Sequence, residues 1–205
     1  MSCFSARRTL PALAVSLISS WASAQRAPTM AGRSPVYAPN GAAATSQPLA
    51  TTAALAVLQK GGNAIDAAIT AAAVLSVVEP MMTGVGGDMF ALMWSAKEKK
   101  LVALNASGRA GSLMTREELV KRGRTRIPRG IETVTVPGAV AGWDALLKKY
   151  GTMTLAQALQ PAIGYAEDGF VVTPVISGDW AGQARLLARD SRTGGGSESD
   201  VPAER

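Results

Sequence analysis

The 205-residue sequence offers hydroxyls, carboxylates, amines, amides and guanidinium groups for chemistry, because it contains no histidine and a single cysteine, Cys3. The lack of histidine excludes a Ser-His-Asp triad, a histidine-ligated zinc site and a histidine proton shuttle within the chain. The single cysteine excludes an internal disulfide and a thiolate metal cluster. We therefore expect neither a metal site nor a cofactor.

Arg109 is the candidate binding residue. It lies in the segment 105–110 (NASGRA), directly after an apolar stretch with strand character, and loops that follow strands often carry functional groups. A guanidinium at such a position suits bidentate capture of a carboxylate. From the spacing alone, an arginine that only holds its loop is the simpler interpretation.

The glycine-rich segment 84–89 (GVGGDM) does not indicate a nucleotide site. A dinucleotide fingerprint requires a third glycine where Met89 stands, and a helix where strand-forming residues follow. We predict a tight turn in which the glycines adopt positive φ.

Charged residues form no catalytic arrangement along the sequence. Asp66 and Glu79 bracket an apolar segment, and no pair of carboxylates of the glycosidase kind can be placed in a cleft. A basic cluster without interleaved aromatic residues is predicted to be a solvated loop, with binding of an anionic surface as the alternative: Arg116, Lys121, Arg122, Arg124, Arg126 and Arg129. The net charge of +6 permits anionic partners, but 5% aromatic residues give few stacking platforms, so we expect no nucleic-acid partner.

Four helices and a hairpin are predicted in the first two thirds of the chain. Ser46 is placed as the N-cap of a helix that ends at Gly61-Gly62, and Asn63 caps a second helix that is apolar on nearly every face until Pro80. Apolar residues 89–94 and 101–104 flank a polar turn, which is typical of a β-hairpin. Thr115 and Glu118 form a capping box for a short helix ending near Gly123, and an apolar stripe over residues 140–147 indicates a helix ended by Gly151.

The remaining segments complete the secondary-structure prediction. Residues 133–136 (TVTV) have strand character, Thr154 caps a helix over residues 155–168 that Gly169 ends, and Thr173 opens a last helix.

The chain divides into four parts by composition. Arg7 and Arg8 precede a mostly apolar stretch, residues 9–20, and Ala22-Ser23-Ala24 offers a cleavage pattern, so residues 1–24 are predicted to be a secretory signal. The apolar stretch is shorter than the ~20 residues a bilayer needs, and no membrane span is expected once the signal is removed. Residues 25–40 are predicted to be an extended leader, residues 41–190 the folded domain, and residues 191–205 a disordered tail.

Five stretches, read together, resemble the gamma-glutamyltransferase (glutathione hydrolase) family of N-terminal nucleophile hydrolases, and their order and spacing match over about residues 41–190. They are residues 44–51 (ATSQPLAT), 61–68 (GGNAIDAA), 79–80 (EP), 83–88 (TGVGGD) and 135–140 (TVPGAV).

The resemblance implies a periplasmic or secreted enzyme made as one precursor that cleaves itself into a large and a small subunit. The threonine that begins the small subunit attacks the gamma-glutamyl amide of a substrate such as glutathione, with its own α-amine as base, and the acyl group passes to water or an amino acid. The implied fold is an α+β, four-layer αββα sandwich. This chain resembles only the front part of the large subunit, so the fold is expected to be incomplete, the small subunit is the missing partner, and no catalytic residue is assigned.

In this family an arginine after the hairpin binds the substrate's α-carboxylate, and Arg109 is the nearest match. Many transferases place that arginine two residues earlier, where this chain has Ser107. The Gly-Arg-Ala version resembles cephalosporin acylases, so an acylase acting on a non-glutamyl amide is one alternative. A secreted non-catalytic binding module that keeps the scaffold is another.

Overall fold

The computed structural model describes residues 37–125 and 133–189, and the helices and strands all lie in one compact unit, Asn40–Arg205. The predicted signal, the tail and most of the leader lie outside the described residues. The chain is a mixture of helices and strands, which confirms the α+β class. In chain order the elements are α1 (Pro48–Gln59), α2 (Ala64–Val78), β1 (Met89–Ser95), β2 (Lys100–Ala106), α3 (Arg116–Lys121), α4 (Ala139–Tyr150), α5 (Leu155–Asp168) and α6 (Pro174–Arg189).

The first helix, α1, packs along α2 through small buried residues such as Ala50 and Ala54. Its N-cap is Gln47, whose side chain accepts a hydrogen bond from the Leu49 amide. The prediction that Ser46 caps this helix was wrong, because the Ser46 hydroxyl donates to the Glu79 carboxylate at the far end of α2 instead.

The second helix, α2, is the centre of the core and packs against α1, α4 and α5. Asn63 caps it as predicted: Oδ1 accepts from the Ile65 and Asp66 amides at 2.8 and 3.1 Å. The Asp66 carboxylate in turn accepts a hydrogen bond from the Asn63 amide at 2.8 Å, and the two sets of bonds form a capping box. Val74 and Val78 are fully buried, so the all-round apolar pattern is explained by cover from several helices.

The hairpin pairs β1 with β2 in an antiparallel register in which Met89 faces Ala106 and Ser95 faces Lys100. One face of the hairpin packs on α4 and the core through half-buried residues that include Met89, Met93 and Leu104. The other face, which we call the outer hairpin face, is apolar and exposed: Phe90 (70%), Leu92 (69%), Trp94 (64%) and Leu101 (61%).

Helices α4 and α5 close the core on the side of α2 that α1 leaves open. Trp143, Leu146 and Leu147 of α4 are buried, as the predicted stripe requires. Thr154 and Gln157 form a capping box at the start of α5, and Gly169, at φ +82°, ends it. None of the helices in the part of the chain described above is long and apolar enough to cross a bilayer.

Two further local predictions need correction. Residues 133–136 are not a strand: Thr135 and Val136 bond to Asp88 and Arg109, which lie beside the ends of β1 and β2, and not to a neighbouring strand. Residues 84–87 do form a tight turn, closed by the Gly87 amide on the Gly84 carbonyl at 3.2 Å. The prediction of positive φ at its glycines was wrong: the turn is formed with the negative φ angles that any residue can adopt.

The short helix α3 follows its prediction in part. The Thr115 hydroxyl accepts from the Glu118 amide at 3.2 Å, as an N-cap does. The Glu118 carboxylate pairs with Arg122 at 2.9 Å instead of returning to the Thr115 amide, so the predicted capping box is only half formed. Gly123 ends the turn at φ +70°.

Candidate functional site

Three segments meet at the base of the hairpin, on the side where Arg109 lies. They are Gly87 and Asp88 before β1, residues 107–109 after β2, and residues 135–139 before α4. We call this set of segments the hairpin junction. It brings together the predicted binding residue, the alternative position Ser107 and an acid that the sequence analysis left unassigned.

Asp88 is the side chain that links the three segments. Its Oδ1 accepts a hydrogen bond from the Gly108 amide at 2.9 Å and another from the Thr135 hydroxyl at 2.8 Å. The Gly108 bond first, and the Thr135 bond second, lower the pKa of Asp88 below its usual range, because both stabilise the charged form. The carboxylate is therefore ionised at neutral pH, as its exposure to water also favours.

Backbone hydrogen bonds hold the same three segments. The Gly138 and Ala139 amides donate to the Gly87 carbonyl at 3.1 and 3.0 Å. The Val136 amide donates to the Arg109 carbonyl at 2.9 Å. The entry to β1 and the exit from β2 are thus both attached to the segment that leads into α4.

Two glycines allow the segments to approach this closely. A Cβ on Gly108 would lie 1.5 Å from the Val136 carbonyl oxygen, and a Cβ on Gly138 would lie 2.2 Å from the Ala106 carbonyl oxygen. Both positions exclude any side chain unless the backbone moves. The close packing of the junction therefore explains why Gly108 and Gly138 are glycines.

Arg109 has a fixed backbone and an unpaired side chain. Its carbonyl is bound by Val136, the residue is exposed, and within residues 37–125 and 133–189 its guanidinium makes no hydrogen bond or ion pair. Ser107 is exposed at the same junction, and its amide donates to Asn105 Oδ1 at 2.9 Å. An unpaired guanidinium on a held loop is suited to binding an anionic group.

Other charged residues do not join this site. Asp66 and Glu79 stand at opposite ends of α2, about 20 Å apart at 1.5 Å per residue, so they are not a catalytic pair. Arg116, Lys121 and Arg122 are exposed, in agreement with a solvated basic segment, and Arg124 is half-buried. Arg126 and Arg129 lie outside the described residues. No group of three potential metal ligands occurs in the described part of the chain.

Sequence reasoning placed Arg109 at this junction but did not assign a function to Asp88. The available signal was an acid directly before a strand, within a turn made otherwise of small and apolar residues. That signal does not identify the partners of the carboxylate, which come from positions 20 and 47 residues further along the chain.

A family model described as Gamma-glutamyltranspeptidase matches residues 50–197 of the chain. The chain is 49% identical over 127 residues to the glutathione hydrolase-like YwrD proenzyme of Bacillus subtilis, covering 61% of this chain and 24% of that protein. It is 41% identical over 167 residues to the acylase ACY 1 proenzyme of Pseudomonas sp. (strain SE83), covering 77% and 30%. The chain thus spans about a quarter to a third of the length of these curated relatives.

The chain is also similar to solved structures of gamma-glutamyltranspeptidases and acylases. Cephalosporin acylase from Bacillus halodurans superposes with a TM-score of 0.72 and 47% identity, over 80% of this chain and 31% of that chain. Helicobacter pylori gamma-glutamyltranspeptidase superposes with a TM-score of 0.70 and 34% identity, over 78% of this chain and 47% of that chain.

Proposed function

Because the chain belongs to the gamma-glutamyltranspeptidase family, we propose that it forms part of the large subunit of an enzyme that cleaves gamma-glutamyl amides such as glutathione. The enzyme passes the gamma-glutamyl group to water or to an amino acid. The small subunit, which carries the threonine nucleophile, is the partner of this chain. The observation that carries the proposal is the exposed guanidinium of Arg109 on the hairpin junction, which makes no hydrogen bond or ion pair with the residues that the structure describes.

The chemistry assigns different tasks to the two subunits. The small-subunit threonine hydroxyl attacks the amide carbonyl and gives its proton to the threonine's own α-amine. The amine then delivers the proton to the leaving nitrogen, and water or an amino acid takes the acyl group from the threonine oxygen. Arg109 takes no part in proton transfer; it binds the α-carboxylate and positions the acyl chain.

The outer hairpin face supports the four-layer sandwich proposed for the complete protein. Phe90, Leu92 and Trp94 alternate along β1 and leave an apolar face exposed. A sheet whose outer face is apolar is stabilised by cover on that face, and a second sheet supplies it in an αββα arrangement.

An acylase for non-glutamyl amides is the second candidate. The Gly-Arg-Ala sequence at residues 108–110 and the likeness to acylase relatives favour it. An acyl group that keeps a carboxylate but lacks the α-amine would still bind Arg109, so recognition of the amine separates the two functions.

A reconstituted complex tests both candidates. The chain is joined to the remainder of a relative's precursor, which supplies the rest of the large subunit and the small subunit, and hydrolysis of a gamma-glutamyl anilide is compared with that of the glutaryl anilide, which lacks only the α-amine. A preference for the gamma-glutamyl anilide supports the transferase; a preference for the glutaryl anilide supports the acylase. Turnover of neither by a processed, assembled complex contradicts both.

We also propose export to the periplasm or the medium, supported by the signal pattern of residues 1–24. The intact mass of exported protein should then correspond to a chain that starts at Gln25. An exported mass that includes Cys3 contradicts this proposal.

A further inference from the structure

We propose that Asp88 is a positioning residue for Arg109: its carboxylate holds the peptide segment that presents the guanidinium to an anionic ligand. The inference rests on the proposed function of Arg109 as the residue that binds a carboxylate. It assigns to Asp88 a role in presenting that residue and none in contacting the substrate.

The hydrogen bonds define how Asp88 would act. The Gly108 amide, one residue before Arg109, donates to Asp88 Oδ1 at 2.9 Å. The Arg109 carbonyl, directly after the Arg109 Cα, accepts from the Val136 amide at 2.9 Å. The backbone is therefore held at both ends of the two-residue segment Gly108-Arg109, which restricts the direction in which the Arg109 side chain leaves the backbone.

Asp88 also controls the second of these two anchors. Its Oδ1 accepts from the Thr135 hydroxyl at 2.8 Å, and Thr135 is the neighbour of Val136. One carboxylate oxygen thus holds the residue before Arg109 and the segment that binds the Arg109 carbonyl. Loss of the carboxylate is expected to release both contacts together.

The surroundings show why a charged acceptor is useful here. The junction is exposed, so water competes for the Gly108 amide and the Thr135 hydroxyl. A hydrogen bond to an ionised acceptor is roughly twice as strong as one between neutral groups. The Gly108 position has no space for a side chain that could fix the loop by packing, since a Cβ would meet the Val136 carbonyl.

Hydrogen exchange of the full-length chain tests the contact itself. We expect Asp88→Ala to raise the exchange rate of peptides covering residues 107–111 and 135–139 about tenfold or more, with exchange in α2 and α5 unchanged. Thr135→Val, which removes one donor, should give a smaller increase in the same peptides. Asp144→Ala, which removes an exposed acid on α4, is the charge-matched control and should alter neither peptide. Unchanged exchange of both junction peptides in Asp88→Ala overturns the proposal.

A double-mutant cycle in the reconstituted complex, in which the chain is joined to the remainder of a relative's precursor, tests the link to Arg109. Asp88→Ala is expected to lower kcat/KM for a donor with a carboxylate about 10- to 100-fold, mainly through KM. In the Arg109→Ala background the same change should have little further effect, because Asp88 acts through Arg109. Equal losses in both backgrounds overturn the positioning role.

The two experiments separate failure of the inference from failure of the proposed function. If Arg109→Ala does not affect the carboxylate donor, the proposed function of Arg109 is wrong, whatever the exchange data show. If Arg109→Ala lowers kcat/KM for the carboxylate donor while Asp88→Ala does not, the proposed function stands and the inference about Asp88 is wrong. Asp88→Asn, which keeps an oxygen acceptor without the charge, should give intermediate losses if the inference is right.

Discussion

The Asp66 carboxylate on α2 accepts hydrogen bonds from both the amide and the hydroxyl of Thr152, which lies 86 positions further along the chain. The distances are 2.8 and 2.6 Å, and the Met153 amide adds a third bond at 3.0 Å. Burial raises the pKa of Asp66, but the bonds from Thr152, Asn63 and Met153 outweigh it and leave the pKa below its ordinary value. A buried, ionised carboxylate therefore joins the start of α2 to the connection between α4 and α5.

Replacement of Asp66 by alanine should destabilise the fold. The change removes a buried carboxylate and leaves the amides of Thr152 and Met153 without their acceptor, and we expect a loss of about 3 kcal/mol in the free energy of unfolding. Urea unfolding followed by circular dichroism measures it. Asp144→Ala, which removes an exposed acid paired with Lys148, should cost no more than about 0.5 kcal/mol. Similar losses for both variants would contradict the role given to Asp66.

The pKa of Asp66 predicts an acid-sensitive stability. Because its pKa is lower in the folded state than its ordinary 3.8, the unfolded chain binds more protons as the pH falls. The stabilisation is complete above the ordinary value and is lost as the pH falls through the lower folded-state pKa. Urea midpoints measured between about pH 6 and pH 3 should fall less steeply for Asp66→Asn than for the unmodified chain. Asp88 and Glu98, whose pKa values are also lowered, should maintain part of the dependence in that variant; parallel profiles would show that Asp66 does not contribute.

Gly108 and Gly111 should respond differently to alanine. At Gly108 a Cβ would lie 1.5 Å from the Val136 oxygen, so the junction must open, and we expect a loss of about 2 to 3 kcal/mol. At Gly111 a Cβ would meet nothing within 4 Å, and φ is not positive, so the change should stay within about 0.5 kcal/mol. Thermal unfolding of the two variants checks the difference. Equal melting temperatures would mean that the segments before α4 and after β2 are not held together in solution.

The outer hairpin face should make the isolated chain associate. Leu92 and its neighbours expose an apolar surface that a hydrophobic dye or a second copy can cover. Leu92→Lys is expected to lower dye fluorescence and to weaken self-association about tenfold or more, measured by analytical ultracentrifugation. Val171→Lys replaces a single apolar residue that is 85% exposed elsewhere, and it serves as the control. An unmodified chain that is monomeric and does not bind the dye would contradict the prediction.

Arg109→Ala should lower kcat/KM only for those donors that carry the carboxylate. In the reconstituted complex we expect a loss of about 2 to 5 kcal/mol in transition-state stabilisation for a gamma-glutamyl anilide, which is roughly 30-fold to several thousand-fold in kcat/KM. The 4-aminobutanoyl anilide keeps the amine and the reacting amide but lacks the carboxylate, so its kcat/KM should change little. Equal losses for both donors would mean that Arg109 only holds its loop.

The elements that could be predicted from sequence are those whose signals are local. The helices α1, α4 and α5 have an apolar period, α2 is apolar on nearly every face, and Asn63 and Thr154 cap two of these helices through residues three positions away. The strands of the hairpin are joined by a short turn, so their pairing follows from the alternation of residues. Local patterns failed at Ser46 and at residues 133–136, where a distant partner determines the conformation.

The sequence by itself determined the helices, the caps at Asn63 and Thr154, the hairpin and the order of motifs that indicates the family, because each depends on residues close together in the chain. Only the tertiary structure decided that Asp88 meets Gly108 and Thr135, and that Asp66 meets Thr152. Those partners are 20 to 86 residues apart, and any hydroxyl or amide could satisfy either acid. Their selection depends on how α2, α4 and the hairpin pack, since the burial of Trp143, Val74 and Met89 fixes which polar groups come within hydrogen-bond distance.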